Sequence, residues 1–128
     1  MIIYRIFSTI LFLIALPAYM AIRKIKGKSF GWREKLGDFQ APELGNKVIM
    51  FHGVSVGEVI ALENLIKKTK ETFPDYKIVV TTGTKTGQEI AHKKYENIAS
   101  FITYFPFDIT FCVDKFLNKI NPSVVLIA

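Results

Sequence analysis

Two segments of the chain gather hydroxyl, glycine and carboxyl groups: His52-Gly53-Val54-Ser55-Val56-Gly57-Glu58 and Thr81-Thr82-Gly83-Thr84-Lys85-Thr86-Gly87. Each reads as a glycine-bearing turn opening onto a helix, where unsatisfied backbone N–H groups and the helix dipole can hold an anion. The same residues also have a structural use. Ser55-x-x-Glu58 and Thr86-x-x-Glu89 both fit the capping box, in which side chains satisfy the helix's own amides and no ligand is needed. Lys85-Thr86 does not complete a phosphate loop, because residue 84 is Thr where that motif requires Gly. No G-x-G-x-x-G follows the first apolar run, so dinucleotide binding lacks its fingerprint. His52 has no His, Cys or Asp at metal-ligand spacing and no Asp-x-Asp occurs, which argues against a metal centre and leaves His52 to orient its loop. A third candidate is Glu34, within Phe30-Gly31-Trp32-Arg33-Glu34-Lys35-Leu36-Gly37-Asp38-Phe39. The neighbouring cations favour its ionised form, and spacing alone makes it an ordinary surface carboxylate.

These segments need a scaffold, and the residues between them supply its pattern. Val48-Ile49-Met50-Phe51, Ile78-Val79-Val80, Ser100 to Tyr104 and Val124-Val125-Leu126-Ile127 are short apolar runs bounded by turn residues, and they read as buried strands. Val59, Leu62, Ile66, Thr69 and Phe73 recur at helical spacing until Pro74-Asp75. A shorter helix is expected from about Thr86 to Tyr95, and Ile109, Cys112, Val113, Phe116, Leu117 and Ile120 form the stripe of another, with Asp108 as its N-cap. Strands alternating with helices specify an α/β fold: a Rossmann-like parallel sheet with right-handed crossovers, half of a doubly wound architecture. Ligands of such sheets bind at the carboxyl ends of the strands. The two segments above, together with Phe105-Pro106-Phe107-Asp108, follow those ends.

The front of the chain is different. From Ile6 to Ile22 no residue is charged, a run of 17. As a helix this run covers about 25 Å at ~1.5 Å per residue, slightly short of a ~30 Å hydrocarbon core unless residues 1–4 extend it. We read residues 1–22 as a spanning or deeply embedded anchor, ahead of a purely interfacial helix. A cleaved secretory signal fits less well, because the positive charges follow the apolar stretch and no small-x-small cleavage pattern precedes a polar mature start. The flank Arg23, Lys24, Lys26, Lys28, Arg33, Lys35 places the rest of the chain on the cytoplasmic side, beside anionic lipids. Nucleic acid is not the expected partner, since the cluster adjoins a membrane segment and lacks interleaved aromatics. With 128 residues, half of them hydrophobic, and a net charge of +6, the chain suffices for one basic domain with a real core. The single cysteine, Cys112, fits a reducing compartment and excludes an internal disulfide.

Four motifs together resemble a known family. Trp32-Arg33-Glu34-Lys35-Leu36-Gly37, Phe51-His52-Gly53-Val54-Ser55-Val56-Gly57-Glu58, the Thr81 to Gly87 segment and Tyr104-Phe105-Pro106-Phe107-Asp108 occur in the order and spacing of the 3-deoxy-D-manno-octulosonic acid (Kdo) transferases of lipopolysaccharide assembly. The resemblance covers essentially the whole chain, the apolar front included. Departures are mild: Lys35 stands where the family usually has Arg, and Phe105 and Phe107 where Leu and Tyr are common.

The resemblance implies the N-terminal half of a two-domain GT-B glycosyltransferase. Residues 1–22 would be the anchor helix, 23–46 a basic juxtamembrane segment with the catalytic Glu, and 47–128 an incomplete Rossmann-like acceptor domain. The implied reaction moves Kdo from CMP-Kdo to a glucosamine hydroxyl of a lipid A precursor (lipid IVA) at the cytoplasmic face of the inner membrane. It inverts the anomeric centre and uses neither catalytic metal nor cofactor. Glu34 matches the family's general base, while Ser55, Gly57, Glu58, Thr82 and Gly83 are expected to serve the acceptor. The basic flank would help attract the acceptor's phosphates. The sequence stops at Ala128, where the family continues into a Glu-Thr-Glu segment and a donor domain, so the expectation is an acceptor half that is inactive alone. The alternative is a membrane-tethered, anion-binding Rossmann-like module without catalysis.

Overall fold

The computed structural model describes residues 1–26 and 31–128; Lys28, and the side chains of Arg23, Lys24 and Lys26 from the basic flank, lie outside the described residues. An apolar helix α1 (Ile2–Lys26) and a single helical turn α2 (Trp32–Lys35) precede the alternating body. The body runs β1 (Val48–Gly53), α3 (Val56–Ala61), α4 (Glu63–Thr72), β2 (Lys77–Thr82), α5 (Lys85–Tyr95), β3 (Phe101–Tyr104), α6 (Thr110–Ile120) and β4 (Val124–Ile127). The four strands form one parallel sheet in the order β3-β2-β1-β4, with Phe51 opposite both Val80 and Leu126.

That order follows from where the apolar side chains go. Successive strand residues face opposite sides, and β1 and β2 bury both. Ile49, Phe51, Ile78 and Val80 pack with Val59, Ile66, Ala91 and Tyr95 from α3, α4 and α5. Val48, Met50 and Val79 pack on the other face with Phe116 and Ile120 of α6. Right-handed crossovers that step outward from β1 to β2 to β3 put their helices on one face, and the jump back across β1 to β4 puts α6 on the other. The Tyr95 hydroxyl donates to the Val59 carbonyl inside the first layer, and burial pushes that phenol up to about 12.

Several expectations require correction. The helix expected from Val59 to Phe73 is broken at Leu62 into α3 and α4. His52, Gly53, Thr81 and Thr82 are the last residues of strands β1 and β2, buried in the sheet, and do not lie in turns after it. The Thr86/Glu89 capping box does not form, because α5 starts earlier: Thr84 is the N-cap, and its hydroxyl accepts from the Gly87 amide at 3.0 Å. Asp108 is not the N-cap of α6, a position held by Ile109. The Asp108 carboxylate instead accepts from the Tyr4 hydroxyl at 3.0 Å. β4 is largely exposed where a buried strand is expected, with Ile127 72% accessible, since β1 is its single strand neighbour among the described residues.

The Thr84 cap gives a stability test. Thr84→Ala leaves the Gly87 amide at the head of α5 without its partner, and we expect a loss of about 1 kcal/mol, read as a lower urea midpoint with unchanged slope.

Candidate functional site

Glu34 sits on a turn that is fastened to the carboxyl end of the sheet. Gly31, just ahead of α2, has φ +60°, and a Cβ there would overlap the Tyr104 ring. Glycine alone therefore lets the turn lie this close to the end of β3. Lys35 follows Glu34 and is buried; its ammonium donates to the Gly83 carbonyl at 2.8 Å and lies 5.2 Å from the Tyr104 ring centre and 5.8 Å from that of Phe107. The Lys35 carbonyl accepts from the Phe107 amide at 2.9 Å. Lys35 is thus a structural residue rather than a solvated member of the basic flank.

The fastening continues from turn to turn. The Gly83 amide donates to the Val54 carbonyl at 3.1 Å, and the Thr84 hydroxyl reaches the same oxygen at 3.3 Å. The α2 turn, the turn after β2 and the turn after β1 therefore form one belt along the carboxyl edge, bringing Glu34 to the same end of the sheet as Ser55, Gly57, Glu58, Thr82 and Gly83. Within that belt the groups differ in availability. The Glu58 carboxylate accepts from the Val54 and Ser55 amides. The buried Thr82 hydroxyl donates to Gln88 Oε1 at 2.6 Å, and the Gly83 carbonyl is taken by Lys35. Ser55 and Gly57 are exposed, and a Cβ on Gly57 would meet no atom within 4 Å.

Glu34 lines a cavity of about 910 Å³ between α2, α5 and the free edge of β3. Arg33, Lys85, Gln88 and His92 stand on its walls. No side chain among the described residues bonds to the Glu34 carboxylate, which is half-buried. Arg33 donates through Nε and Nη2 to Asp38 Oδ2 at 3.1 and 2.9 Å and holds that acid below the usual carboxylate range. Both partners are exposed, so water screens the pair and it contributes little to stability. Gln88 links the Thr82 hydroxyl to His92, whose Nε2 lies 3.3 Å from the Gln88 amide nitrogen. Thr103 lies behind the cavity wall, and its Oγ1 is buried with no hydrogen-bond partner among the described residues.

Gln88 and His92 of the α5 wall were not singled out by motif, yet they had a signal. Lys85, Gln88 and His92 recur at i, i+3 and i+7, the spacing of one polar helix face. Thr103 gives no such signal, since its significance depends on which strand edge is left open. His52 is buried, with Nδ1 3.0 Å from Thr81 Oγ1 and its ring 4.3 Å from that of Phe105. Burial lowers the imidazole below its ordinary value. Among the described residues no cluster of three or more His, Cys, Asp or Glu is placed to hold a metal ion.

Residues 30–128 match the family model described as 3-deoxy-D-manno-octulosonic-acid transferase (kdotransferase). The chain belongs to the Kdo transferase family. A relative from Chlamydia muridarum named 3-deoxy-D-manno-octulosonic acid transferase is 30% identical over 126 residues, covering 96% of this chain and 29% of the relative. The Haemophilus influenzae protein of the same name is 30% identical over 131 residues, covering 97% and 30%. A bifunctional glycosyltransferase/methyltransferase from Fusobacterium nucleatum is 33% identical over 115 residues, covering 89% and 18%. The chain thus spans under a third of the length of the curated relatives it matches. No solved structure matches it.

In this Kdo transferase chain the buried His52 sets a pH dependence. The unfolded chain protonates it near its ordinary 6.5, whereas burial keeps it neutral to lower pH in the fold. The unfolded state therefore binds more protons as pH falls, so the stability from His52 is complete above about 6.5 and declines below. Glu63, which the ammonium groups of Lys67 and Lys94 hold down at about 2, adds a further loss only below its ordinary 4.5. We expect the melting temperature to drop between pH 7 and pH 5, and to drop less in His52→Gln.

Proposed function

We propose that this chain carries the acceptor side of a glycosyltransferase that moves Kdo from CMP-Kdo to a hydroxyl of a lipid A precursor at the inner membrane, with the body on the cytoplasmic face. The observation that carries the proposal is the Glu34 carboxylate, which lines the cavity with no side-chain partner among the described residues, on a turn fixed to the functional end of the sheet. Glu58, the other acid near the belt, is engaged with two backbone amides. A sugar hydroxyl is a poor nucleophile until its proton has a destination. Glu34 accepts that proton as the hydroxyl oxygen bonds to the anomeric carbon of Kdo. The bond from that carbon to the CMP phosphate breaks, and CMP leaves with the electron pair. Attack from the face opposite the leaving group inverts the centre, and the step is proposed to need no catalytic metal.

Recognition follows from the walls. Lys85 and the donors that Arg33 does not commit to Asp38 suit the phosphates of a lipid A precursor. Gln88 and His92 supply hydrogen-bonding groups of the kind a sugar needs. Ser55 and the exposed backbone at Gly57 extend the acceptor site along the belt, with Thr82, Gly83 and Glu58 shaping it from behind. The donor is proposed to bind residues outside 1–128, so the assay uses the protein at the full length of its relatives. Anionic membrane lipids are the proposed second partner, drawn by the basic flank.

The deciding experiment is Kdo transfer by Glu34→Gln with both substrates saturating. Gln keeps the size of Glu and cannot take the proton, so we expect kcat to fall by on the order of 10²- to 10⁴-fold with the melting curve unchanged. Retention of more than about a tenth of normal kcat, well short of that range, would overturn the assignment. Acceptor binding by a wild-type protein that shows no transfer would favour the non-catalytic tether instead. A second variant tests the belt: Gly57→Ala has room for its methyl group and replaces a glycine within a helix, so stability should hold or rise by about 0.5–1 kcal/mol. A raised acceptor KM in this variant is the expected sign that a ligand approaches the backbone there.

A further inference from the structure

α1 is long and apolar enough to cross a membrane over Ile2–Ala21, yet its contacts with the body are those of a helix lying alongside it. The Tyr4 hydroxyl donates to Asp108 Oδ2 at 3.0 Å, and the Phe12 ring meets that of Phe107 edge-on at 5.1 Å. Ser8, Thr9, Phe12, Leu16 and Met20 are the part-covered residues of the helix, and they follow its i, i+4 ridge on the side of those two contacts. The opposite ridge, Ile3, Ile6, Phe7, Ile10, Leu13 and Ile14, is more than half exposed throughout.

We infer that α1 lies in the plane of the membrane, clamped between the body and the lipid, and does not cross the bilayer. This rests on the membrane attachment proposed above and specifies its geometry. In a crossing helix with Lys26 at the cytoplasmic edge, Tyr4 would stand about 33 Å away along the axis, on the far side of a ~30 Å hydrocarbon core. Asp108 follows β3 in the body and cannot be carried there without burying the body's polar surface in lipid. The composition of α1 is consistent with the flat placement. Interfacial helices ordinarily keep a polar face for water, and here Tyr4 and Phe12 meet the body on the side that would be wet. A helix with Arg5 as its one charge before Arg23 is then satisfied by contacts with protein on one side and acyl chains on the other. The hydroxyls of Ser8 and Thr9 donate to the Arg5 carbonyl at 3.1 and 2.7 Å, so neither asks for water. Asp108 and Phe107 close the loop whose backbone is bonded to Lys35, so the same contact sets the Glu34 turn near the bilayer surface, where a lipid-borne hydroxyl is presented.

The test uses the whole chain in bacterial inner membranes, with the buried Cys112 left in place as background. Tyr4→Cys with Asp108→Cys, treated with a short bismaleimide, should cross-link within one chain, while each single variant does not. Arg5→Cys should react with a membrane-impermeant maleimide only after the cells are opened. Labelling of Arg5→Cys from outside intact spheroplasts, or absence of the 4–108 cross-link in chains that remain in the membrane fraction, overturns the flat geometry and leaves attachment standing. Recovery of the chain in the soluble fraction without detergent overturns attachment and geometry together.

Discussion

A buried ammonium group holds the carboxyl end of this sheet together. Burying a lysine is costly unless its charge meets good partners, and Lys35 meets a backbone carbonyl and two aromatic rings. The groups that satisfy it come from three places: the turn after β2, the end of β3 and the loop after β3. Satisfying one charge therefore fixes three segments relative to one another, and Glu34 is carried into position as its chain neighbour. Gly31 is the backbone counterpart, since the turn can approach Tyr104 because residue 31 has no side chain.

Carboxylates of one kind end up with different work because their surroundings differ. Glu63 is committed to Lys67 and Lys94 and bridges α4 to α5. Glu58 closes the head of α3 through two amides. Glu34 has neither cation nor amide on its side chain among the described residues and opens onto the cavity of about 910 Å³. Arg33 and Lys35 beside it in the chain turn elsewhere, to Asp38 and to Gly83. The two cations that in sequence favour an ionised surface acid turn away from it in space and leave its carboxylate with no side-chain partner among the described residues.

How much of this was legible beforehand depended on the range of the interactions involved. Strand and helix identity follow from local periodicity, and the α/β order of the body is readable from Val48 to Ile127 on that basis. The belt along the carboxyl edge was legible as a set of post-strand glycines. Helix starts were less so: Thr84 and Thr86 both offer a hydroxyl, and which one caps α5 depends on how the chain leaves β2. Asp108 looks like a cap from its neighbours and is drawn off by Tyr4, 104 positions away. The burial of Lys35 is likewise invisible to any window, because its partners lie between residues 83 and 107. The cavity over β3 could not be read at all, since it requires knowing that β3 is an edge strand and that α2 stands beside it.

The two borders of the sheet differ in a way that bears on handling the protein. On the β3 side, α2 and its cavity stand against the strand and deny approach to another chain. On the β4 side, Val124-Val125-Leu126-Ile127 offers a row of backbone amides and carbonyls with no proline and no charge to discourage pairing. A strand of that composition, exposed at all but Leu126, is a template onto which a strand from a second molecule can add. In concentrated solution these 128 residues on their own are therefore prone to self-association through β4, by a route independent of the apolar helix at the other terminus.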